Sequence, residues 1–184
     1  MKRFSTPVAL ILAATLLTQC DLIGANNSED ELAGVALLLV SSQTSYPIAM
    51  ALNGSYDDNW GSSHTISAEQ TAADTNGAGT WITDATTRSV LEFSNEEKTA
   101  YVKGSVPAWC TGQGTSFPNC ECFSAAECYS RMVWLESGSK FYYCEIVYNK
   151  PDLAAAKADG STANPSDPAT GGCGVGSWTE LTAK

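Results

Sequence analysis

The chain is poor in charge, and poorest in positive charge. Only 16% of its 184 residues are charged, and 20 acids against 10 Lys and Arg leave a net charge of −10. Proteins that hold nucleic acid neutralise phosphates with a basic surface, so nucleic acid is excluded as a partner class. Adhesion to anionic headgroups by charge alone is excluded for the same reason. Histidine is nearly missing, with His64 the only one. A conventional Ser-His or Cys-His engine would have to be built on that single ring, and its bland role is a strand residue facing solvent or a polar neighbour. No apolar run reaches the roughly 20 residues that a membrane-spanning helix needs. No glycine-rich phosphate loop follows a strand, and the stretch 159–167 lacks the ligand order of an EF-hand. Asp57 and Asp58 are adjacent, which does not supply the convergent pair of carboxylates that glycoside hydrolysis requires. No catalytic residue, metal site or cofactor is expected, and a non-enzymatic protein is the better reading.

What is present begins at the N-terminus. Lys2 and Arg3 precede an apolar stretch from Val8 to Leu17, and Leu17 stands three residues before Cys20. That stretch, about ten residues, is too short to span a bilayer and has the layout of a bacterial lipoprotein export signal. Gln19 stands where such signals usually carry a small residue, a departure that spirochaete signals tolerate. The expected organisation is a signal at 1–19, a lipidated tether with a short apolar helix at 20–52, and a β domain at 53–184. Cys20 would carry the lipid and hold the protein to a membrane of the bacterial envelope, the outer membrane or cell surface ahead of the inner membrane. Durable anchoring needs more than one acyl chain, which a triacylated cysteine supplies.

Seven cysteines are present, and setting Cys20 aside leaves an even number in an exported chain. That pattern predicts three disulfides. Cys110, Cys120, Cys122 and Cys128 crowd one loop, while Cys144 and Cys173 lie outside it and are expected to pair. Two bridges then close inside the loop, and a Cys120–Cys122 bridge is disfavoured by geometry. The rival, a zinc site, lacks the usual C-x2–4-C spacing.

Thr, Ser, Gly and Asn fill the space left by charge, and with several aromatics this composition reads as an exported β-rich protein. Short strands are predicted at 54–56, 64–67 and 79–82. Two hairpins follow, 89–93 with 99–103 and 130–135 with 140–148. In the last of these strands Tyr142, Cys144, Ile146 and Tyr148 share one face, and Phe141, Tyr143, Glu145 and Val147 the other. Both faces are largely apolar, so the strand should sit centrally. Pro151 opens a short helix to Ala158, and 178–181 is a closing strand. The fold class is therefore mainly β: an antiparallel meander forming a small barrel or sandwich, with one short helix near the C-terminus.

The run Tyr129-Ser130-Arg131-Met132-Val133-Trp134, with Phe141-Tyr142-Tyr143-Cys144, Asp152-Leu153-Ala154-Ala155-Ala156, Asn164-Pro165, Gly172-Cys173-Gly174 and Trp178-Thr179-Glu180-Leu181, resembles a family of Leptospira lipoproteins. The resemblance covers most of the mature domain and is strongest in its last third. It implies a small secreted β domain in the envelope and a Cys144–Cys173 bridge, and it carries no catalytic residues. The segment with the four clustered cysteines looks like an insertion relative to that family. Separately, Asn53 to Ile66 is similar to the first hairpin of avidin-type barrels.

Two functions are expected in order. The first is a surface or periplasmic interaction protein that meets a protein or host macromolecule through Trp109 and Phe117, on the cysteine-rich loop. Aromatics on a pinned loop lose little ordering entropy on binding. The second is a small-ligand carrier that uses a calycin-like barrel interior.

Overall fold

The computed structural model describes residues 47–71, 77–111 and 120–184, all within the compact unit Ser45–Lys184. Cys20, the tether helix expected at 32–40 and Phe117 lie outside the described residues.

Alternation of apolar and polar side chains generates the strands. β3 (Ser63–Gln70) is the plainest case: His64, Ile66 and Ala68 are buried, while Ser63, Thr65, Ser67 and Glu69 face out. Side chains alternate across a strand, so such a segment must lie with one face on a core. β2 (Gly54–Asp58), β4 (Gly79–Thr83), β5 (Thr86–Ser94), β6 (Thr99–Ser105), β7 (Glu127–Ser137) and β8 (Lys140–Lys150) follow as an antiparallel meander. β11 (Thr179–Ala183) completes it by pairing with β8 on one side and β2 on the other. Pairing of β2 with β3 and of β3 with β4 joins the first strands to the rest. The result is a closed eight-stranded antiparallel β-barrel. Closure leaves none of these eight strands an unpaired edge to aggregate. β1 (Ile48–Ala49) prolongs the β2 side of β3, and Met50 and Leu52 are fully buried. The barrel unit thus begins ahead of residue 53.

The interior is filled. Trp81, Val90, Val102 and Met132 are each no more than 1% exposed, and Tyr56, Trp134 and Leu181 pack with them. Gly79 permits this closeness: its φ is +157°, and a Cβ there would lie 2.0 Å from the Ser67 carbonyl oxygen. Only glycine fits a backbone crossing of that kind.

A second layer lies on the outer wall. Tyr142, Cys144 and Ile146 of β8 point outward and are buried by Trp178 and Ala156. The two faces of β8 are divided as its alternation predicts as far as Ile146; an irregularity in the pairing with β7 then carries Val147 into the outer cluster, against its expected inner face, and leaves Tyr148 exposed. The strand is central because both faces need cover. The cover is the segment between β8 and β11. It starts with the helix α1 (Leu153–Ala158), capped by Asp152, whose side chain accepts the Ala155 N–H at 2.7 Å. A cap of this type typically contributes about 1 kcal/mol. The segment then crosses the sheet to a small hairpin of β9 (Gly172–Cys173) and β10 (Gly176–Ser177). The Cys144–Cys173 disulfide ties it down.

Candidate functional site

Three places gather chemistry. The first is the cysteine-rich loop between β6 and β7. Cys110 bonds Cys120 and Cys122 bonds Cys128, so the four thiols are consumed as bridges, as the spacing suggested. All four are buried and form a satellite core with Val106 and Ala125. The loop is fastened to β8 by the Cys122 N–H on the Asn149 carbonyl and by the Lys150–Glu121 ion pair. Trp109 beside this core is 51% exposed. Strand directions alternate, so this loop shares one barrel end with the turns 59–62 and 84–85. The opposite end carries the turn 95–98, where Asn95 bonds the backbone of Ala49 and Ala51 at 2.9 and 2.8 Å. The N-terminal segment therefore joins the barrel at the end away from the bridged loop.

The second place is around His64, which faces inward and is 1% exposed, correcting the solvent-facing half of its expected role. Its position on the inner register of β3 decides this. Trp81 donates its indole N–H to His64 Nδ1 at 3.3 Å, and Thr83 Oγ1 lies 3.1 Å from the same atom. An indole can only donate, so Nδ1 is unprotonated and Nε2–H donates to Asp58 Oδ2 at 3.0 Å. Tyr143 packs edge-on against both His64 and Trp81, with ring centroids 5.4 and 5.1 Å apart. Each such pair contributes about 0.5–1.5 kcal/mol beyond area burial. Burial also pushes the Tyr143 hydroxyl up, against the lowering effect of its Thr179 hydrogen bond.

For Asp58, burial acts upward. The His64 bond and the backbone N–H groups of Ser62 and Trp60 outweigh it and hold the carboxyl below its ordinary value. Carboxylate, imidazole and hydroxyl thus stand in a row, as in nucleophilic hydrolases. Here the acceptor nitrogen is shared with the Trp81 N–H, and the ring is sealed beneath Tyr143. The row clasps β2, β3 and β4 together. Asp57 diverges from it, pairing outside with Lys184 at 2.8 Å, so the two adjacent acids never converge.

The third place is a groove on the outer wall, which sequence reasoning missed. A cavity of about 550 Å³ lies between β6 and β7 on one side and residues 160–165 on the other. Arg131 fixes that strap by donating Nη1 to the Asp159 carbonyl at 3.1 Å and Nη2 to the Ser161 carbonyl. Trp178 donates to the Asn164 carbonyl at 3.0 Å. Gly172 is needed there, because its φ is +90° and a Cβ would lie 2.2 Å from the Asn164 oxygen. The available signal was the outward register of β7, where Arg131 alternates with Val133 and Leu135. That mixture marks a covered outer face.

Of the tryptophans, Trp81, Trp134 and Trp178 are buried, while Trp60 joins Trp109 in being exposed. Among the described residues no group of three or more His, Cys, Asp or Glu is placed to hold a metal ion. No helix among them is long and apolar enough to cross a membrane.

The fold and sites define a disulfide-bridged, closed up-and-down β-barrel with an outer strap. No protein-family model, no curated protein and no solved structure matches the chain.

Proposed function

We propose that the chain is a lipid-anchored binding protein of the bacterial envelope, non-enzymatic, whose barrel is a rigid platform. It meets a macromolecular partner through the bridged loop at 109–128. The observation that carries this reading is the loop itself: two disulfides and a private core hold it at the barrel end away from the N-terminal junction, and Trp109, next to the bridged Cys110, is half-exposed. The resemblance to Leptospira lipoproteins supports the same location, and six bridged cysteines suit an oxidising compartment. The carrier reading has less support, because Trp81, Val90, Val102 and Met132 pack into the space a ligand would take.

The test combines location with anchoring. A palmitate analogue should label the wild-type chain and not Cys20→Ala. Protease added to intact cells should remove the barrel domain. Digestion only after lysis would sink the surface reading, and absence of label would sink the anchor.

A further inference from the structure

The groove on the outer wall does not end at the strap. A second cavity of about 360 Å³ adjoins it and shares Glu97, Thr99 and Tyr101 as lining. Together they make one channel that passes over the Tyr101 ring. Its floor is apolar at Val133, Leu135 and Ile146. Its rim is acidic, with Glu96 and Glu97 beside the first cavity and Glu92 beside the second. Among the described residues the cations on that lining are Lys98 and Arg131, and Arg131 is spent on the strap.

One ammonium of the protein already meets two residues of that lining. Lys157, reaching over from α1, places Nζ 5.5 Å from the Tyr101 centroid and 2.5 Å from Glu92 Oε1. A cation over an aromatic face and against a carboxylate is a lysine-recognition geometry. The ring face is therefore set for an ammonium and not left open for a sugar. Lys157 and Glu92 are 45% and 40% exposed. Exposed pairs of this kind contribute little, so another lysine can replace Lys157 at small cost. The closed barrel has no free edge among its strands to recruit a ligand backbone, so recognition must run through side chains.

We propose that this channel binds an extended, lysine-bearing peptide segment. One ligand lysine takes the Lys157 position against Tyr101 and Glu92. A neighbouring lysine meets Glu96 and Glu97, and the aliphatic stems lie on Val133 and Leu135. The site is distinct from the bridged loop, so it extends the proposed function without relying on the loop's partner.

The experiment titrates the folded, disulfide-bonded chain with a fluorescein-labelled peptide of alternating lysine and alanine, at low and physiological salt. Binding should weaken as salt rises, because the contacts are exposed. Glu92→Gln with Glu97→Gln should weaken it at least fivefold. Lys157→Ala should strengthen it about threefold by removing the internal competitor. Lys184→Ala, which changes net charge equally but lies elsewhere, should leave it unchanged. Equal gains in Lys157→Ala and Lys184→Ala would mean diffuse charge attraction and overturn the site. Retained affinity in the double glutamine variant would do the same, and tighter binding of free spermidine than of the peptide would overturn the ligand class. Loss of peptide binding with intact surface exposure refutes the channel alone. Exposure failing while the channel binds refutes only the display.

Discussion

The Cys144–Cys173 bridge should be the most stabilising of the three. It closes the longest loop, with a sequence separation of 29 against 10 for Cys110–Cys120 and 6 for Cys122–Cys128. Chain-entropy arithmetic for those loops gives about 3.6, 2.7 and 2.2 kcal/mol respectively. The perturbation is the double variant Cys144→Ala with Cys173→Ala, compared with Cys122→Ala with Cys128→Ala. For a unit of this size 1 kcal/mol moves Tm by roughly 3–4 °C, so the first pair should lose roughly 11–14 °C and the second roughly 7–9 °C. Circular dichroism melts at neutral pH without reductant read both numbers. Cys173 also fastens the strap to β8, so limited proteolysis of the first variant should cut within 160–171 before the barrel. The reasoning fails if the order of the two losses is reversed. It also fails if the first loss stays under about 1 kcal/mol while the strap remains protected.

Other outcomes follow from the same packing. Asp58→Ala strands the His64 Nε2–H and the backbone N–H groups of Trp60 and Ser62, and should cost about 3 kcal/mol in urea unfolding; a loss near zero would show that the clasp is idle. Gly79→Ala drives a Cβ into the Ser67 carbonyl and should cost about 3 kcal/mol or more, whereas Gly138→Ala, in open space at φ +65°, should cost only about 1–2 kcal/mol. Acid should destabilise the barrel. Asp57 is held low by its Lys184 hydrogen bond, Asp84 by the Ser63 backbone, Asp159 by Ser161 and Glu180 by Lys140. Asp58 is held low against its burial. Carboxyls depressed on folding contribute fully above their unfolded values of about 4 and lose that contribution as pH falls through the folded ones. Tm should hold from pH 7 to 5 and drop below pH 4; a flat profile to pH 3 would contradict these assignments.

Much of the fold was legible along the chain. Alternation in 63–70 and 140–148 marks strands whatever they pair with, because the period of two is a property of extended backbone. Ser94 to Lys98 and Glu136 to Ser139 read as turns, and each closes a hairpin of the barrel. The cysteine spacing gave the separation into one loop cluster and one distant pair, since a bridge between positions 120 and 122 is geometrically poor. Helix α1 was visible in its alanines, but it starts at Leu153 and not at Pro151, which lies ahead of the Asp152 cap instead of in the first turn.

Other features belong to the tertiary structure alone. Whether the meander closes as a barrel or stacks as a sandwich depends on β11 finding both β8 and β2, a pairing across more than a hundred residues that no local pattern encodes. His64 reads as an isolated polar residue in a strand; only closure brings Asp58, Trp81, Thr83 and Tyr143 around it and makes burial tolerable. The channel over Tyr101 has no linear signature either, because its walls come from β5, β6, β7 and the strap, joined only when the outer face of the sheet is covered. Local residue types determined which segments are strands and where the bridges fall; long-range pairing decided what those strands enclose and what they expose.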